Sequence, residues 1–541
     1  MTMLEWHSKD VKKMLIIQKR NGLFQDYDNN KIETAIKKAF CSLSETIKDD
    51  ELKKMIADIE KHIIADMSVE AIQDLVEETL MKHGYLQVAK AYILYRQKHT
   101  EQRLIIDELL ALLGDQNLKK VLLKIHKDYP QEEYSLQLLL VKFKTFYKEG
   151  MSHFEALKML MKASVELISK EAPKWEMISA RFLTYDVNQQ VDQKMNTAGR
   201  YTFYERINYL AQQGYYGQYI LESYSKDEID MLGQYISESR NELFTYSGLE
   251  LIVKRYLIQN HDREIIEKPQ EMFMSIAMHL AMNESNRVKW AKEIYDILST
   301  LKVTMATPTM SNARKPFHQM SSCFIDTVDD SLAGIYKSID NFAKVSKNGG
   351  GMGLYFGKVR ANGSSIRGFK GAAGGVIRWL KLVNDTATAV DQLGVRQGAA
   401  AVYLDAWHKD LPEFLQIRTN NGDDRMKAHD IFPAVCYPDL FWKLAKNDLE
   451  ASWYMMCPHE IHEVKGYYLE DCYGEEWERK YYECVEDDRI PKRVMTVKEI
   501  VRLIIKSLVE TGTPFTFNRD HVNNFNPNPH QGMIYCSNLC T

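Results

Sequence analysis

Ser537-Asn538-Leu539-Cys540-Thr541 is the stretch of sequence on which the interpretation of the other residues depends. A cysteine beside a carboxyl end is usually inert. Here the cysteine directly follows Asn-Leu, and the turn-rich run 523–531 directs the segment away from the helix before it. We therefore predict that this segment is a loop that carries chemistry.

The composition is that of a globular protein with several domains. The chain has 541 residues, of which 45% are hydrophobic and 27% are charged, which is ordinary for globular proteins. No apolar run approaches the roughly 18 residues that cross a bilayer, and Met1–Lys13 lacks the apolar region of a secretion signal. A net charge of −4 and a pI near 6.5 argue against a large nucleic-acid surface. We expect no membrane or nucleic-acid partner and a cytoplasmic location, which includes a phage-encoded protein in a bacterial host.

The eight cysteines show no metal-binding spacing. No Cys-x-x-Cys pair occurs, so a structural zinc site has little support, and reduced thiols are expected in a large chain without a secretion signal. His459-Glu460-Ile461-His462 is one residue short of the HExxH zinc spacing, and we predict a polar turn there. No metal site is predicted in this chain. No role is assigned to Cys436, Cys457, Cys472, Cys484 or Cys536.

The N-terminal region predicts a hairpin followed by helices. Lys19-Arg20-Asn21-Gly22 separates two short apolar runs, and Asn-Gly accepts the positive φ of a tight turn. Apolar residues then recur at helical spacing over 32–40. Lys19, Arg20 and Lys31 beside a helix N-terminus can hold a triphosphate. From charge alone, a solvated basic hairpin is the alternative. Further helices are predicted near 51–64, 69–82, 86–97, 202–213, 226–237, 247–256, 271–282 and 287–299.

Hydroxyl-bearing residues mark the central region of the sequence. Leu301–Thr304 is strand-like, Ala306–Met310 predicts a turn, and a second strand begins near Ser322. The hydroxyls of Thr307 and Ser322, beside free backbone N–H groups, suit a diphosphate, although ordinary strand-end residues would show the same pattern. A buried, inert Cys323 is likewise an alternative, because free cysteines are often buried.

A glycine run at 348–353 follows this block. It is neither a Rossmann fingerprint nor a P-loop, and by itself it indicates a close backbone approach or positive φ. Residues 399–404 then predict a buried strand, and 513–518 predict a last strand before the chemical loop.

Six short blocks resemble, in order, the large subunit of class I ribonucleotide reductases: TPTM at 307–310, SSC at 321–323, DDSL at 329–332, GGGMG at 349–353, GVRQG at 394–398 and SNLC at 537–540. Residues 14–98 resemble the ATP-cone of that family, and 167–184 resemble the closing helices of a second cone. The resemblance implies an α/β fold with helical ATP-cone domains, a helical domain and the first half of a ten-stranded α/β barrel. The implied domains are 1–103 (ATP-cone), 104–198 (degenerate second cone), 199–300 (helical domain) and 301–541 (half barrel).

The resemblance also implies roles for individual residues. Cys540 would carry a thiyl radical, Asn538 would bind the ribose hydroxyls, and Cys323 would be one of two thiols that reduce the substrate. The substrate would be held by Thr307, Ser322, Asn538 and Arg396. The site that selects which base is reduced would comprise Asp330, Ser331, Leu332, Ile335, Arg360 and Arg367. The cone site for ATP or dATP would comprise Lys19, Arg20, Gln25, Asp28, Lys31 and Lys98.

The implied function is reduction of ribonucleoside diphosphates, regulated by ATP, dATP and deoxynucleoside triphosphates. The sequence stops one residue before the family motif's glutamate, so a second polypeptide carrying the C-terminal half of the large subunit is expected. A radical-generating small subunit with a dimetal cofactor, a thioredoxin- or glutaredoxin-type reductant and oligomerisation are also expected. The alternatives are a catalytically inactive, nucleotide-binding regulatory remnant and a fragment of a class II or glycyl-radical type reductase.

Overall fold

A computed structural model of the chain describes residues 15–19, 22–194, 201–390 and 397–539. The chain divides into two compact units, Met1–Asp186 and Val187–Thr541, called unit 1 and unit 2 below. Helices dominate unit 1, and unit 2 combines helices with a parallel sheet. The predicted α/β fold class is therefore confirmed.

Unit 1 begins with the predicted hairpin, in which β1 pairs antiparallel with β2 across the turn that contains Gly22 at φ +79°. Asp28 then caps the first helix by accepting a hydrogen bond from Asn30 N at 3.1 Å. The buried residues of the first four helices include Ile36, Met55 and Leu80. The elements are β1 (Ile16–Gln18), β2 (Phe24–Asp26), α1 (Asn29–Ser42), α2 (Asp49–Glu60), α3 (Val69–Lys82), α4 (Leu86–Leu113), α5 (Lys119–Asp128), α6 (Leu136–Lys144), α7 (His153–Val165) and α8 (Trp175–Lys194), with a 3-10 turn at Glu132–Tyr134.

The second half of unit 1, from α5 onward, is helical. Ser152 and Glu155 form a reciprocal capping box at the start of α7, and α6 and α7 bury apolar side chains such as Phe143 and Leu160. The interpretation of this segment as a degenerate second cone stays a prediction, as do the four domain boundaries.

Unit 2 contains fifteen helices and seven strands among its described residues. The helices are α9 (Phe203–Gln212), α10 (Tyr219–Ser223), α11 (Lys226–Tyr235), α12 (Tyr246–Arg255), α13 (Pro269–Ala281), α14 (Arg287–Ser299), α15 (Thr307–Asn312), α16 (Leu332–Lys347), α17 (Val376–Ala389), α18 (Leu411–Phe414), α19 (Asp439–Asn447), α20 (Pro458–Lys465), α21 (Gly474–Val485), α22 (Val497–Thr511) and α23 (Arg519–Asn524). The strands are β3 (Cys323–Thr327), β4 (Gly351–Tyr355), β5 (Ala400–Asp405), β6 (Phe432–Tyr437), β7 (Ser452–Met455), β8 (Arg493–Thr496) and β9 (Phe515–Asn518). Short 3-10 turns lie at Glu238–Leu243, Asp424–Met426, Leu469–Asp471 and Pro529–Gln531.

The central sheet has the order β3-β4-β5-β6-β9, with every neighbouring pair parallel. Alternate residues point to opposite faces of a strand, so each strand divides its side chains between two layers. The outer face, with Leu354, Val402 and Val435, packs against helices in the large core of unit 2. The inner face carries Tyr403 and Cys436 in a smaller cluster that also contains residues of the segment after β9.

Three local predictions are wrong. Leu301–Thr304 is not a strand, because Leu301 has φ +59° and closes the end of α14 through a hydrogen bond to Leu298 O. Ala306–Met310 is not a turn but contains most of α15, whose second residue is a proline that favours a helix start and whose side chains from Pro308 onward are buried. His459–His462 is not a polar turn but lies within α20, which ends at Gly466 in the left-handed conformation.

Among the described residues, no helix is long and apolar enough to cross a membrane. In the same part of the chain, no group of three or more His, Cys, Asp or Glu side chains is arranged to hold a metal ion.

Candidate functional site

The segment that follows α23 returns to the inner face of the sheet. Residues 532–539 of this segment, called the finger loop below, are held at both ends. The amide of Asn523 donates to Ile534 O at 3.0 Å and accepts from Ile534 N at 2.8 Å. At the other end, Tyr403 OH on β5 donates to Asn538 O at 2.7 Å. Cys540 and Thr541 lie outside the described residues.

Two glycines of β4 make room for the finger loop. A Cβ atom added to Gly353 would lie 1.9 Å from Ser537 O and 2.9 Å from Asn538 Cα. One added to Gly351 would lie 3.0 Å from a methyl carbon of Leu539. The prediction of a close backbone approach at this glycine run is confirmed, and the approaching segment is the finger loop itself.

Ser322, Cys323 and Asn538 all adjoin the glycines of β4. Gly351 N donates to Ser322 O at 2.8 Å, and Gly351 pairs with Cys323 across the β3–β4 ladder. Cys323 is exposed, with its Sγ 3.5 Å from Ser322 Oγ, so the alternative that Cys323 is buried is wrong. Asn538 is 6% exposed and follows the Ser537 carbonyl that packs on Gly353. Two predicted active-site segments, distant in sequence, therefore lie together at one end of the sheet.

Thr307 stands at the start of α15, where its hydroxyl lies 3.4 Å from Tyr256 OH. The residues after α15 are held by Arg314, which is fully buried and pairs with Glu267 at 2.5 Å. Arg314 also donates to the carbonyl of Tyr256 at 2.6 Å. The position of α15 is thus fixed by a buried ion pair. Arg396, the remaining residue predicted to bind substrate, lies outside the described residues.

A buried polar network beneath the finger loop was not found from the sequence. Arg519 and Tyr355 both donate hydrogen bonds to the Asp405 carboxylate, and all three side chains are 1% exposed or less. Burial raises the pKa of Asp405, and the carboxylate raises the pKa of Arg519. The Tyr355 ring packs 5.3 Å from that of Tyr535 in the finger loop. The network therefore supports the loop from below.

Glu470 borders this network and was also missed. Its side chain is 1% exposed, and neither carboxylate oxygen has a hydrogen-bond partner on another described residue. Its backbone carbonyl accepts from Arg519. Burial raises the pKa of the Glu470 carboxyl to about 8, with smaller contributions that include the nearby Asp471 and Asp405, so the group is mainly protonated at neutral pH.

All six residues predicted for the base-selecting effector site line one cavity of about 370 Å³. Arg360 organises its wall by donating from Nε to Asp330 at 2.8 Å and from its backbone N to the same carboxylate at 3.1 Å. Ser331 caps α16 by accepting from Gly334 N at 3.0 Å. Trp379 also lines the cavity, and the sequence motifs did not indicate it because α17 lies outside them.

Unit 1 contains a larger cavity of about 570 Å³ between α1, α3 and α4. Its lining combines cations with aromatic rings: Lys31, Lys38, Tyr92, Tyr95, Arg96, His99 and Arg103. Burial and then the charges of Lys98 and Lys38 lower the pKa of His99. The cavity is therefore electropositive, and its size is within the range of small-molecule sites.

The structure brings few of the predicted cone residues into this cavity. Lys31 lines it, and Lys98 lies near enough to affect His99. Lys19 is exposed at the hairpin, Gln25 is the middle residue of β2, and Asp28 is occupied in capping α1. Arg20 lies outside the described residues. The basic face of α4 was missed, although the spacing of residues 92, 95, 96, 99 and 103 is that of one helical face.

Family models match three successive regions of the chain. The ATP cone domain matches residues 15–101, the ribonucleotide reductase all-alpha domain matches 242–318, and the ribonucleotide reductase barrel domain matches 321–541. Together they include the finger loop, the cavity at Asp330 and all lining residues of the unit 1 cavity except Arg103.

Bacterial proteins named ribonucleoside-diphosphate reductase subunit alpha are similar to most of the chain. The protein from Treponema pallidum is 55% identical over 535 residues, which cover 97% of this chain and 63% of the relative. The protein from Chlamydia trachomatis is 32% identical over 582 residues, covering 99% of this chain and 54% of the relative. The chain thus spans between half and two thirds of the length of these relatives. With the three domain matches, the similarity shows that the chain belongs to the family of ribonucleotide reductase large (alpha) subunits.

Proposed function

We propose that this chain supplies the nucleotide sites and the hydrogen-abstracting thiol for the reduction of ribonucleoside diphosphates. The observation that carries the proposal is the packing of the finger loop on Gly351 and Gly353, beside Ser322 and Cys323. The Asn538 amide, the Ser322 hydroxyl and the Cys323 thiol would therefore lie near the segment that continues into Cys540.

The reaction requires radical chemistry, because a secondary hydroxyl of ribose has no easy polar route of removal. The Cys540 thiol suits hydrogen transfer, since its S–H bond is close in strength to the ribose C–H bond. It would take hydrogen from the 3′ carbon and later return it. Asn538 would hold the ribose hydroxyls. When bound, a small subunit with a dimetal cofactor supplies the oxidising equivalent that makes Cys540 reactive.

The 2′ hydroxyl leaves as water, and two electrons then come from a pair of thiols that become a disulfide. Cys323 would be one thiol of that pair, and its exposure leaves its sulfur accessible. The second thiol and the carboxylate that acts as general base would belong to the part of the relatives that this chain does not match. Thr307, Ser322 and Arg396 would hold the substrate diphosphate.

Two nucleotide sites would regulate the reaction. The cavity at Asp330 and Arg360 would take a deoxynucleoside triphosphate or ATP and select the base to be reduced. The electropositive cavity in unit 1 would take ATP or dATP, since cations and aromatic rings match phosphates and a base. Lys38 and Arg103 thus join the predicted Lys31 and Lys98 as candidate phosphate ligands.

The proposed assembly contains this chain, the part of a large subunit that its relatives have and this chain does not match, and a radical-generating small subunit. A thioredoxin- or glutaredoxin-type protein would re-reduce the disulfide. We propose that the assembly is oligomeric and works in the cytoplasm.

A reductase assay tests the proposal. The chain is mixed with a labelled ribonucleoside diphosphate, dithiol reductant and ATP, first alone and then with the polypeptide that matches the rest of its relatives and a class I small subunit. Deoxynucleotide formation in the full mixture, abolished by Cys540→Ser while effector binding persists, is expected. No product in any mixture, with effector binding intact, would favour a regulatory remnant. Product without the small subunit would favour a class II type enzyme.

A further inference from the structure

A third cavity, of about 300 Å³, opens in unit 2 at the carboxyl end of α15. It lies among the loop after α9, the end of α12 and the residues after α15. Lys254, Arg255 and Lys315 contribute cationic side chains, and no carboxylate is among the lining residues. Because Lys254 already pairs with Glu250 on its own helix at 2.9 Å, Arg255 and Lys315 are the main source of uncompensated charge.

Ser311 provides a second, independent observation at this cavity. It lines the cavity, is 2% exposed, and its hydroxyl has no hydrogen-bond partner among the described residues. A buried hydroxyl without a hydrogen-bond partner lowers the stability of the folded protein. A ligand with oxygen acceptors would supply the missing partner.

The charge of Lys315 is compensated only in part where it stands, since the attraction of Glu267 is weaker than the opposing effects of burial and of Arg314. Burial and the adjacent Arg314 guanidinium lower the pKa of Lys315. Arg314 is already paired with Glu267 and donates to the carbonyls of Met310 and Tyr256, so it has little capacity left for a ligand. Lys315 therefore faces the cavity as a cation that an anion would stabilise.

We infer that this cavity is a binding site for a small phosphate-bearing anion, held by Arg255, Lys315 and the Ser311 hydroxyl. A guanidinium offers paired donors that match phosphate oxygens, an ammonium adds a point charge, and a hydroxyl donates one more hydrogen bond. The volume is at the lower end of small-molecule sites, which fits a phosphate ion or a single phosphorylated sugar. This site is distinct from the substrate, effector and cone sites proposed above.

An anion bound in this cavity would affect α15 through residues that lie between the cavity and the helix or belong to both. Tyr256, between the cavity residues Arg255 and Leu257, contacts Thr307 at the start of the helix. Ser311 lies near the other end of the same helix. An anion bound here would thus bridge α12 and the end of α15 and resist their separation.

The test compares matched variants of the full chain. Orthophosphate and ribose 5-phosphate are titrated separately, at constant ionic strength, against the wild type, Lys315→Met, Lys315→Arg, Arg255→Gln and the control Lys289→Met. Lys289 is an exposed lysine of α14 that pairs with Glu293. Binding is followed by the rise in unfolding temperature and by calorimetry.

We expect the wild type and Lys289→Met to bind alike, Lys315→Met and Arg255→Gln to bind at least tenfold more weakly, and Lys315→Arg to recover most of the affinity. Anions bound at other sites contribute equally to all variants and cancel in the comparison. Equal affinity of orthophosphate and ribose 5-phosphate would identify a free inorganic ion as ligand, and tighter binding of ribose 5-phosphate would identify an organic phosphate. Equal binding by all variants, or the same stabilisation by chloride, would overturn the proposal. Neither readout depends on reductase activity, so failure of the reductase proposal leaves this test intact.

Discussion

At the scale of single residues, Gly353 is the position where the fold and the proposed chemistry depend on each other most directly. Because Gly353 has no side chain, the Ser537 carbonyl can pack directly against its backbone. The glycine run predicted a close approach, but not its partner, because the two segments are far apart in sequence. The Tyr355–Asp405–Arg519 network escaped prediction for the same reason: each residue is unremarkable within its own segment.

Gly353→Ala is expected to lower turnover about 100-fold in the complete reductase mixture, since displacement of a reacting group by about 1 Å has that order of effect. The Cβ would lie 1.9 Å from a carbonyl oxygen, so the finger loop must move. Effector binding should be unchanged. Gly248→Ala, in α12, is the control, because its Cβ would meet just the Thr245 hydroxyl at 3.0 Å. Equal activity of the two variants would contradict the proposed role of the loop position.

Glu470 gives a prediction about pH. Its pKa in the folded protein is about 8, above the ordinary value of 4.5. Between these values the unfolded chain has lost the proton that the folded protein keeps, so stability falls as pH rises through this range and stays low above it. Glu470→Gln should remove this loss, making the variant more stable than wild type at pH 8.5 by at most about 5 kcal/mol. The two should differ little at pH 5.

Urea unfolding of unit 2 at the two pH values measures this difference. If the free energies of unfolding of the variant and the wild type differ by the same amount at both pH values, the Glu470 carboxyl does not titrate with a raised pKa.

At the scale of elements, helices and strands with a clear hydrophobic periodicity could be predicted from the sequence. Elements whose conformation depends on tertiary packing could not. The hairpin, α3 and the alternation of β5 follow from local spacing and turn residues. The helix α15 does not, because six residues carry little periodic signal and its burial decides its conformation. Likewise, the residues on the basic face of α4 recur at helical spacing, but they indicate a binding site only when α1 is seen to form the other wall of the cavity.

Neighbouring lysines on α1 provide a matched test of that cavity. Lys38 lines the cavity, whereas Lys37 pairs with Glu33 at 2.8 Å on the outer surface. Lys38→Ala should weaken ATP binding to the full chain by about tenfold, the effect of losing one charged hydrogen bond, and Lys37→Ala should leave it unchanged. Calorimetric titration measures both. Loss of affinity in both variants alike would indicate a general charge effect instead of a site.

Lys19→Ala tests the hairpin residue predicted from the sequence. If the nucleotide also reaches the hairpin, this variant should weaken the ATP response without changing which base is reduced. The measurement is the rate of the complete mixture as ATP is varied, with each of two ribonucleoside diphosphates. An unchanged ATP response would restrict the site to the α1–α4 cavity.

At the scale of the whole molecule, the two units have separate cores, and unit 2 depends on a buried ion pair. Arg314 and Glu267 are both 0% exposed and join the residues after α15 to the helical part of the unit. The family and the order of its regions were readable from short motifs, since these lie in the same order along the chain. The ion pair between Arg314 and Glu267, which are 47 positions apart, could not be predicted, because nothing in the sequence near either residue indicates its partner.

Arg314→Met should destabilise unit 2 by about 3–5 kcal/mol, because it leaves the Glu267 carboxylate buried without its partner. Arg287→Met is the control, since Arg287 pairs with Glu228 near the surface and such pairs contribute at most about 1 kcal/mol. Denaturant unfolding should show a shifted transition for unit 2 and an unchanged transition for unit 1. Similar shifts for the two variants would contradict the importance of the buried pair.

The hydrogen bond from Tyr403 to Asn538 has a consequence for how the chain folds. It joins residues 135 positions apart, and contacts of such long range form slowly, since a large loop must close before they are gained. The parallel strands that create the groove over Gly353 must pair first. Docking of the finger loop is therefore expected among the last steps of folding, and a chain in which the sheet is complete can still have this loop undocked from Gly353.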